Sequence, residues 1–280
     1  MIFSLFRDIQ YQNSLGMMST ISPGKREISA MNDPLFDIRG KSIVVAGAGS
    51  GLGRAVARAL IARGARVTVA DISTESLIAL GTELGKDVLS CPTDITSEKQ
   101  ANALMARAAE RFGAVDGVIN TAGILRIAPA LEMKEETFRQ SMDINVTGAF
   151  LLSRAAARAM EGKGGRIIHF ASVSSFVSNI NYAAYATSKA AMWQLTRVLA
   201  REWAPKGITV NSIGPAMTET GMTVDYMSDG AFRAQALASI PMGRFGSPDD
   251  LIGMVVLLLA PAGAFITGQT LYIDGGRTLV

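Results

Sequence analysis

The chain is poor in the residues that would signal disulfides, nucleic acid or a membrane. It has one cysteine among 280 residues, Cys91, so no disulfide can form within it. A lone thiol after an apolar run reads as a small buried hydrophobe and fits a reducing, cytoplasmic setting. Net charge is only +3, and lysine and arginine neither cluster nor interleave with aromatic residues. Nucleic acid is therefore not an expected partner. Long apolar runs are missing too. Leu251 to Ala260 is too short to cross a bilayer and follows Ser247-Pro248-Asp249-Asp250, an N-cap serine, a first-position proline and an acidic first turn. Met1 to Phe6 has neither a basic leader nor a long apolar segment, so it reads as neither signal peptide nor span. No membrane partner and no metal are expected. The single histidine, His169, lies in an apolar strand-like run and reads as a buried, hydrogen-bonded ring rather than an acid–base group.

What is present is core-forming material: 49% hydrophobic residues against 18% charged ones. Residues 1–36 do not share the later pattern and read as an extension, disordered or untranslated. Met17, Met18 and Met31 are alternative starts, and translation is expected to begin at Met31. Residues 37–280 read as one domain. Short β-rich runs at Ser42 to Ala46, Arg66 to Ala70, Asp87 to Cys91, Gly117 to Asn120, Arg166 to Phe170, Thr209 to Ile213 and Thr270 to Ile273 alternate with helical stretches. Those helices begin near Gly51, Thr74, Ser97, Glu135, Tyr185 and Pro248. Strands apolar on both faces, separated by helices, predict an α/β fold: a doubly wound parallel sheet covered by helices on both sides.

The first strand runs into Gly47-Ala48-Gly49-Ser50-Gly51-Leu52-Gly53 and then a helix. Glycines there permit a tight turn and let backbone N–H groups approach a pyrophosphate at the positive helix end. Asp71 ends the next strand, 20 residues past Gly51. A carboxylate there accepts from ribose hydroxyls and repels a 2′-phosphate, and neither Ala48 nor Ile72 supplies positive charge. NAD is expected over NADP. Asp94 and the Asn120-Thr121-Ala122-Gly123 turn follow later strands and can edge the same pocket.

Farther along, Ser172 closes an apolar strand, and Tyr185 and Lys189 stand four apart on one helix face. A nearby ammonium is expected to lower the phenol from about 10, so the pair can exchange a proton with an alcohol or carbonyl.

Taken together these motifs resemble the short-chain dehydrogenases/reductases from Phe36 to Arg277. Gly47-x-x-x-Gly51-x-Gly53 is similar to the family's cofactor loop, and Asn145, Ser172, Tyr185 and Lys189 to its catalytic tetrad, 13 residues separating Ser172 from Tyr185. The resemblance implies a Rossmann fold and a hydride transfer between nicotinamide and a CH–OH group. It also implies cofactor contacts from Gly47, Ser50, Gly51, Leu52, Gly53, Asp71, Ile72, Asp94, Ile95, Asn120, Ala122, Gly123, Tyr185, Lys189, Pro215, Thr218 and Thr220. Tyr185 would be the general acid or base, Lys189 would lower its pKa and hold the nicotinamide ribose, Ser172 would bind the substrate oxygen, and Asn145 would hold a water leading to Lys189. A homotetramer is implied, built on the Tyr185 helix and the helix carrying Arg154 and Arg158. Ala46, Thr121 and Ala216 depart from the family's Thr, Asn and Gly; the first two are expected to lose polar braces of the cofactor loop.

For the substrate, residues 217–240 resemble a mobile lid. Arg126, Ser174, Asn179 and Tyr182 are candidate pocket residues, and Arg126 could grip a carboxylate bidentately. The stretches Arg201 to Pro215 and Ala122 to Arg126 resemble gluconate 5-dehydrogenases and related sugar-acid and polyol dehydrogenases. Reduction of a 3-oxoacyl thioester is the alternative, and a non-catalytic NAD sensor a remote one.

Overall fold

The computed structural model describes residues 33–85, 88–218, 221, 223 and 228–280. Of residues 1–36, expected to be an extension, 1–32 lie outside the described residues, and Pro34–Phe36 form a 3₁₀ turn capped by the Asp33 carboxylate. Seven strands form one parallel sheet: β1 (Ser42–Ala46), β2 (Arg66–Asp71), β3 (Val88–Pro92), β4 (Gly117–Asn120), β5 (Gly165–Phe170), β6 (Ile208–Pro215) and β7 (Thr270–Ile273). Their order across the sheet is β3-β2-β1-β4-β5-β6-β7. The helices are α1 (Gly51–Ile61), α2 (Thr74–Leu84), α3 (Glu98–Phe112), α4 (Glu135–Met142), α5 (Ala149–Ala159), α6 (Ala183–Trp203), α7 (Gly230–Ala238) and α8 (Pro248–Leu259).

Successive strand residues feed opposite cores. Ile43 and Val45 join Val67, Ile119 and Ile168 under Val56 and Leu60 of α1 and Val255 of α8. Val44 and Ala46 join Val118 and Ile167 under Leu104 of α3, Leu152 of α5 and Leu199 of α6. Both faces are sealed, so every position of β1 is buried and the strands lack the apolar–polar alternation of a half-exposed sheet. Each fully buried aliphatic side chain contributes about 1.5–3 kcal/mol, which makes these two layers the main stabilisation of the fold.

Strand order reverses between β1 and β4. The chain leaves β1 toward α1 on one side and leaves β4 on the other, opening a crevice at the strands' carboxyl ends. Ala46 stands in register with Ala70 on one side and Asn120 on the other, which sets the loops after β1, β2 and β4 side by side.

Three differences from the sequence expectation bear on the site. Helix α6 begins at Ala183, so Tyr185 sits within its first turn instead of opening it. A π-helical turn, Asp143–Gly148, separates α4 from α5 and contains Asn145. Residues 230–238, expected to be irregular, form α7, whose start is set by Asp229: its carboxylate accepts from Ala231 N at 2.9 Å and Phe232 N at 3.2 Å.

Candidate active site

The loop after β1 is shaped by missing side chains. Gly47 has φ +81°, and a Cβ on it would lie 2.5 Å from Ala122 N; a Cβ on Gly53 would lie 2.1 Å from Gly47 O. Gly47 N and Ala48 N donate to Ala70 O, and Gly49 N donates to the Asp71 carboxylate at 2.9 Å. Ser50 makes no side-chain cap, leaving the first turn of α1, Gly51 to Gly53, open to an anion. Asn120 is buried, and its Nδ2 has no partner. A backbone cradle, a carboxylate at the ribose position and an orphaned amide donor fit a dinucleotide.

Two departures from the family pattern turn out differently from expectation. The brace between loops is present, because Thr121 donates to Ala46 O from both its N–H (2.9 Å) and its hydroxyl (2.7 Å). This brace takes only a backbone carbonyl from position 46, which alanine supplies. Asp94 accepts from Thr96 N and Oγ1 at 2.9 and 2.7 Å. Ile95 packs on Gly148 of the π-helical turn, and Ile72 is exposed. Ala122 N donates to Asn120 Oδ1 at 3.1 Å. Pro215 ends β6, Thr218 is buried nearby with its hydroxyl donating to Ala216 O, and Thr220 lies outside the described residues.

Ser172, Tyr185 and Lys189 meet in one cavity of about 630 Å³. Lys189 donates to Phe170 O at 2.8 Å, anchoring its ammonium to the end of β5; its Nζ lies 5.6 Å from the Tyr185 ring centre. Ser172 Oγ accepts from Ser174 N at 3.1 Å, which leaves its proton for another acceptor. Asn145 is fully buried and clamps the backbone of one residue: Oδ1 accepts from Ile124 N at 2.8 Å, and Nδ2 donates to Ile124 O at 3.0 Å and Ser188 Oγ at 2.9 Å.

Burial pushes the Tyr185 phenol up to about 12, against the lowering effect of the Ser172 hydroxyl and with Tyr182 adding to the rise. The same loss of water brings Lys189 down to about 8. In the site by itself, burial sets the direction of the Tyr185 shift.

Ser174, Asn179 and Tyr182 line the cavity as expected, and Arg126 does not. Its Nη1 turns back to Leu125 O at 3.2 Å, because the strand-following loop points it away from the crevice. Residues that the sequence reading missed take its place. Phe232 and Gln235 come from α7, and Arg277 from the segment after β7. The alanine-rich run behind Asp229 is a legible helix signal for the first two; nothing local points Arg277 at the site.

A doubly wound sheet with a glycine cradle at its switch point and a Ser–Tyr–Lys cavity beside it defines a nicotinamide-dependent type of oxidoreductase fold. The sequence profile described as "Enoyl-(Acyl carrier protein) reductase" matches residues 47–278, and the chain belongs to the short-chain dehydrogenase/reductase family, whose members act on CH–OH groups. It is 40% identical over 250 residues to the 2,5-dichloro-2,5-cyclohexadiene-1,4-diol dehydrogenase of Sphingobium indicum, covering 88% of this chain and 100% of that one. It is 36% identical over 245 residues to the 2-dehydro-3-deoxy-D-gluconate 5-dehydrogenase of Escherichia coli, covering 86% and 96%. Its fold matches the crystal structure of a gluconate 5-dehydrogenase from Burkholderia cenocepacia in complex with NADP and tartrate, with TM-score 0.83, 32% identity and coverage of 88% and 98%.

His169 is fully buried, as expected, and does not line the cavity. The Ser153 hydroxyl donates to Ala149 O at 2.7 Å, so at its 3.1 Å contact with His169 Nε2 it accepts; Nε2 carries the proton and Nδ1 has no partner. Burial, with a contribution from Lys189, brings the ring down to about 4. Between pH 6.5 and 4 the unfolded chain binds a proton that the fold refuses, so stability falls on acidification through that window, by about 3 kcal/mol at pH 4. His169→Gln should flatten this acid limb. Melting temperatures of both proteins from pH 7 to 4 measure it, and parallel curves would contradict it.

Proposed function

We propose that the chain is an NAD-dependent oxidoreductase acting on a secondary alcohol or ketone, with a sugar acid or polyol as substrate. The observation that carries this reading is the polar edge of the cavity. Ser172, Ser174 and Asn179 lie along it, Ser174 N donating to Ser172 Oγ and Asn179 Nδ2 to Ser174 Oγ, an edge suited to a molecule with several hydroxyls. Bound NAD would supply the hydride acceptor. When an alcohol is oxidised, its hydroxyl proton passes to Tyr185 Oη, and when a ketone is reduced the same atom returns it. Ser172 donates to the substrate oxygen as charge develops there. With the phenol at about 12, proton abstraction at neutral pH needs positive charge beside Tyr185. Lys189 supplies one charge, and the oxidised form of a bound nicotinamide would add to it. A water path from Asn145 to Lys189 is supported by their nearness: a Cβ on Gly123 would stand 3.0 Å from Asn145 Oδ1 and 3.6 Å from Lys189 Nζ.

The preference for NAD rests on Asp71. Its carboxylate is held by Gly49 N and by Ser73 N, at 2.9 and 3.0 Å, across the cradle where a 2′-phosphate would come. A second reading, reduction of a 3-oxoacyl thioester, is favoured by relatives named 3-oxoacyl-(acyl-carrier-protein) reductase and by the apolar wall of Leu125, Ile127, Phe232 and Ile240. The polar edge opposite that wall weighs against it. A homotetramer built on α5 and α6 is supported by Trp193 and Val198, which stay exposed on α6.

Tyr185→Phe should lower turnover by ~10²–10⁴-fold while leaving NAD affinity unchanged; a variant retaining a tenth of the activity would refute the role of the phenol. Asp71→Ser should shift the ratio of kcat/KM for NAD over NADP toward NADP by about tenfold or more, the equivalent of one close charge repulsion. An unchanged ratio would remove Asp71 as the selector. Light scattering should give four times the monomer mass, and a stable monomer would dismiss the assembly.

A further inference from the structure

We infer that Arg277 is the carboxylate-binding residue of the cavity, so that the substrate is a small hydroxy- or keto-carboxylate held with its reacting carbon at Tyr185 and Ser172. This rests on the oxidoreductase reading above and narrows its substrate class. Among the described residues that line the cavity there are two cations, Lys189 and Arg277, and no Asp or Glu. Among the described residues the lining therefore carries more positive than negative charge. Lys189 is committed to Phe170 O and the reaction centre, which leaves Arg277 to meet an anionic substituent.

The guanidinium is placed but not neutralised by an acidic side chain. Asp274, the nearest acid in sequence, spends its carboxylate on the turn: Oδ1 accepts from Gly276 N at 3.0 Å, and Oδ2 accepts from Thr278 N and Oγ1, both at 2.8 Å. Gly275 and Gly276 have φ +60° and +90°, which allows the chain to double back there. Arg277 itself donates through Nη2 to Asn179 Oδ1 at 3.0 Å and through Nη1 to Val280 O at 3.1 Å. Asn179 Oδ1 is a neutral amide oxygen, and a carboxylate in its place would offer Nη2 a bond roughly twice as strong. Asn179 in turn donates to Ser174 Oγ at 3.4 Å, and Ser174 N donates to Ser172 Oγ. One hydrogen-bonded line thus runs from the guanidinium to the hydroxyl that would hold the reacting oxygen. A substrate lying along it has its acid end and its alcohol end fixed by the same rail.

The test compares wild type, Arg277→Ala and Arg277→Lys with gluconate and with an uncharged hexitol as substrates, NAD in excess. Calorimetric titration of tartrate into each enzyme with NADH provides a readout that needs no turnover. Arg277→Ala should lose about 10- to 100-fold in kcat/KM for gluconate, through KM, with the hexitol within threefold of wild type and tartrate affinity reduced by a similar factor. Arg277→Lys should recover part of the loss, since it restores charge without the planar fork. Equal losses on acid and hexitol, or no loss on acid and tartrate, would overturn the assignment. If wild type oxidises neither compound yet binds tartrate through Arg277, the carboxylate site stands and the sugar-acid reaction falls. If it oxidises both and Arg277→Ala changes neither, the reaction stands and the carboxylate site falls.

Discussion

The carbonyl of Ala46 is the point on which the site depends. It ends β1 where strand order reverses, and it accepts both the N–H and the hydroxyl of Thr121. That pair of bonds ties the loop after β1 to the loop after β4. Gly53 must pass directly over the junction, where a Cβ would lie 2.4 Å from Thr121 Oγ1. The absence of two side chains and the presence of one hydroxyl therefore set the width of the crevice. The cradle on one side and Gly123, Asn145 and Lys189 on the other inherit their spacing from it.

Burial does as much as charge to define the chemistry. Removing water raises Tyr185 and lowers Lys189, so burial disfavours the charged form of both while leaving Lys189 mostly an ammonium at neutral pH. Lys189 then works by position, held to the end of β5, as much as by its own field.

Most of the scaffold was legible in the sequence because parallel strands buried on both faces leave unbroken apolar runs, and because glycines and N-cap residues mark the turns. Ser172, Tyr185 and Lys189 were legible for a related reason: strand ends and helical spacing are local geometry. The boundaries of β6 and α6 shifted by two residues or so, where capping is weak; Tyr182 precedes α6 without a side-chain cap. The π-helical turn at Asn145 has no local signature, since its extra residue is stabilised by the distant peptide of Ile124 and by Ser188. Substrate-side residues were the least legible. Arg126 looked well placed in sequence, yet its loop turns it back on Leu125. Arg277 lies 98 residues from Asn179, to which it is bonded, and only the three-dimensional path of the segment after β7 brings them together.

This division follows from what each part must do. Hydride and proton transfer need fixed distances, so the groups for them sit on strand ends and a helix face, which the sheet holds rigidly. Selecting one alcohol over another needs only that one wall of the cavity differ, and α7 and the turn that carries Arg277 line the cavity apart from the sheet. Neither element contributes to the β1–β4 crevice or to the two packed layers, so their sequence can change without disturbing the reaction centre. The chemistry is therefore a property of the fold's switch point, and the choice of substrate a property of the segments that close over it.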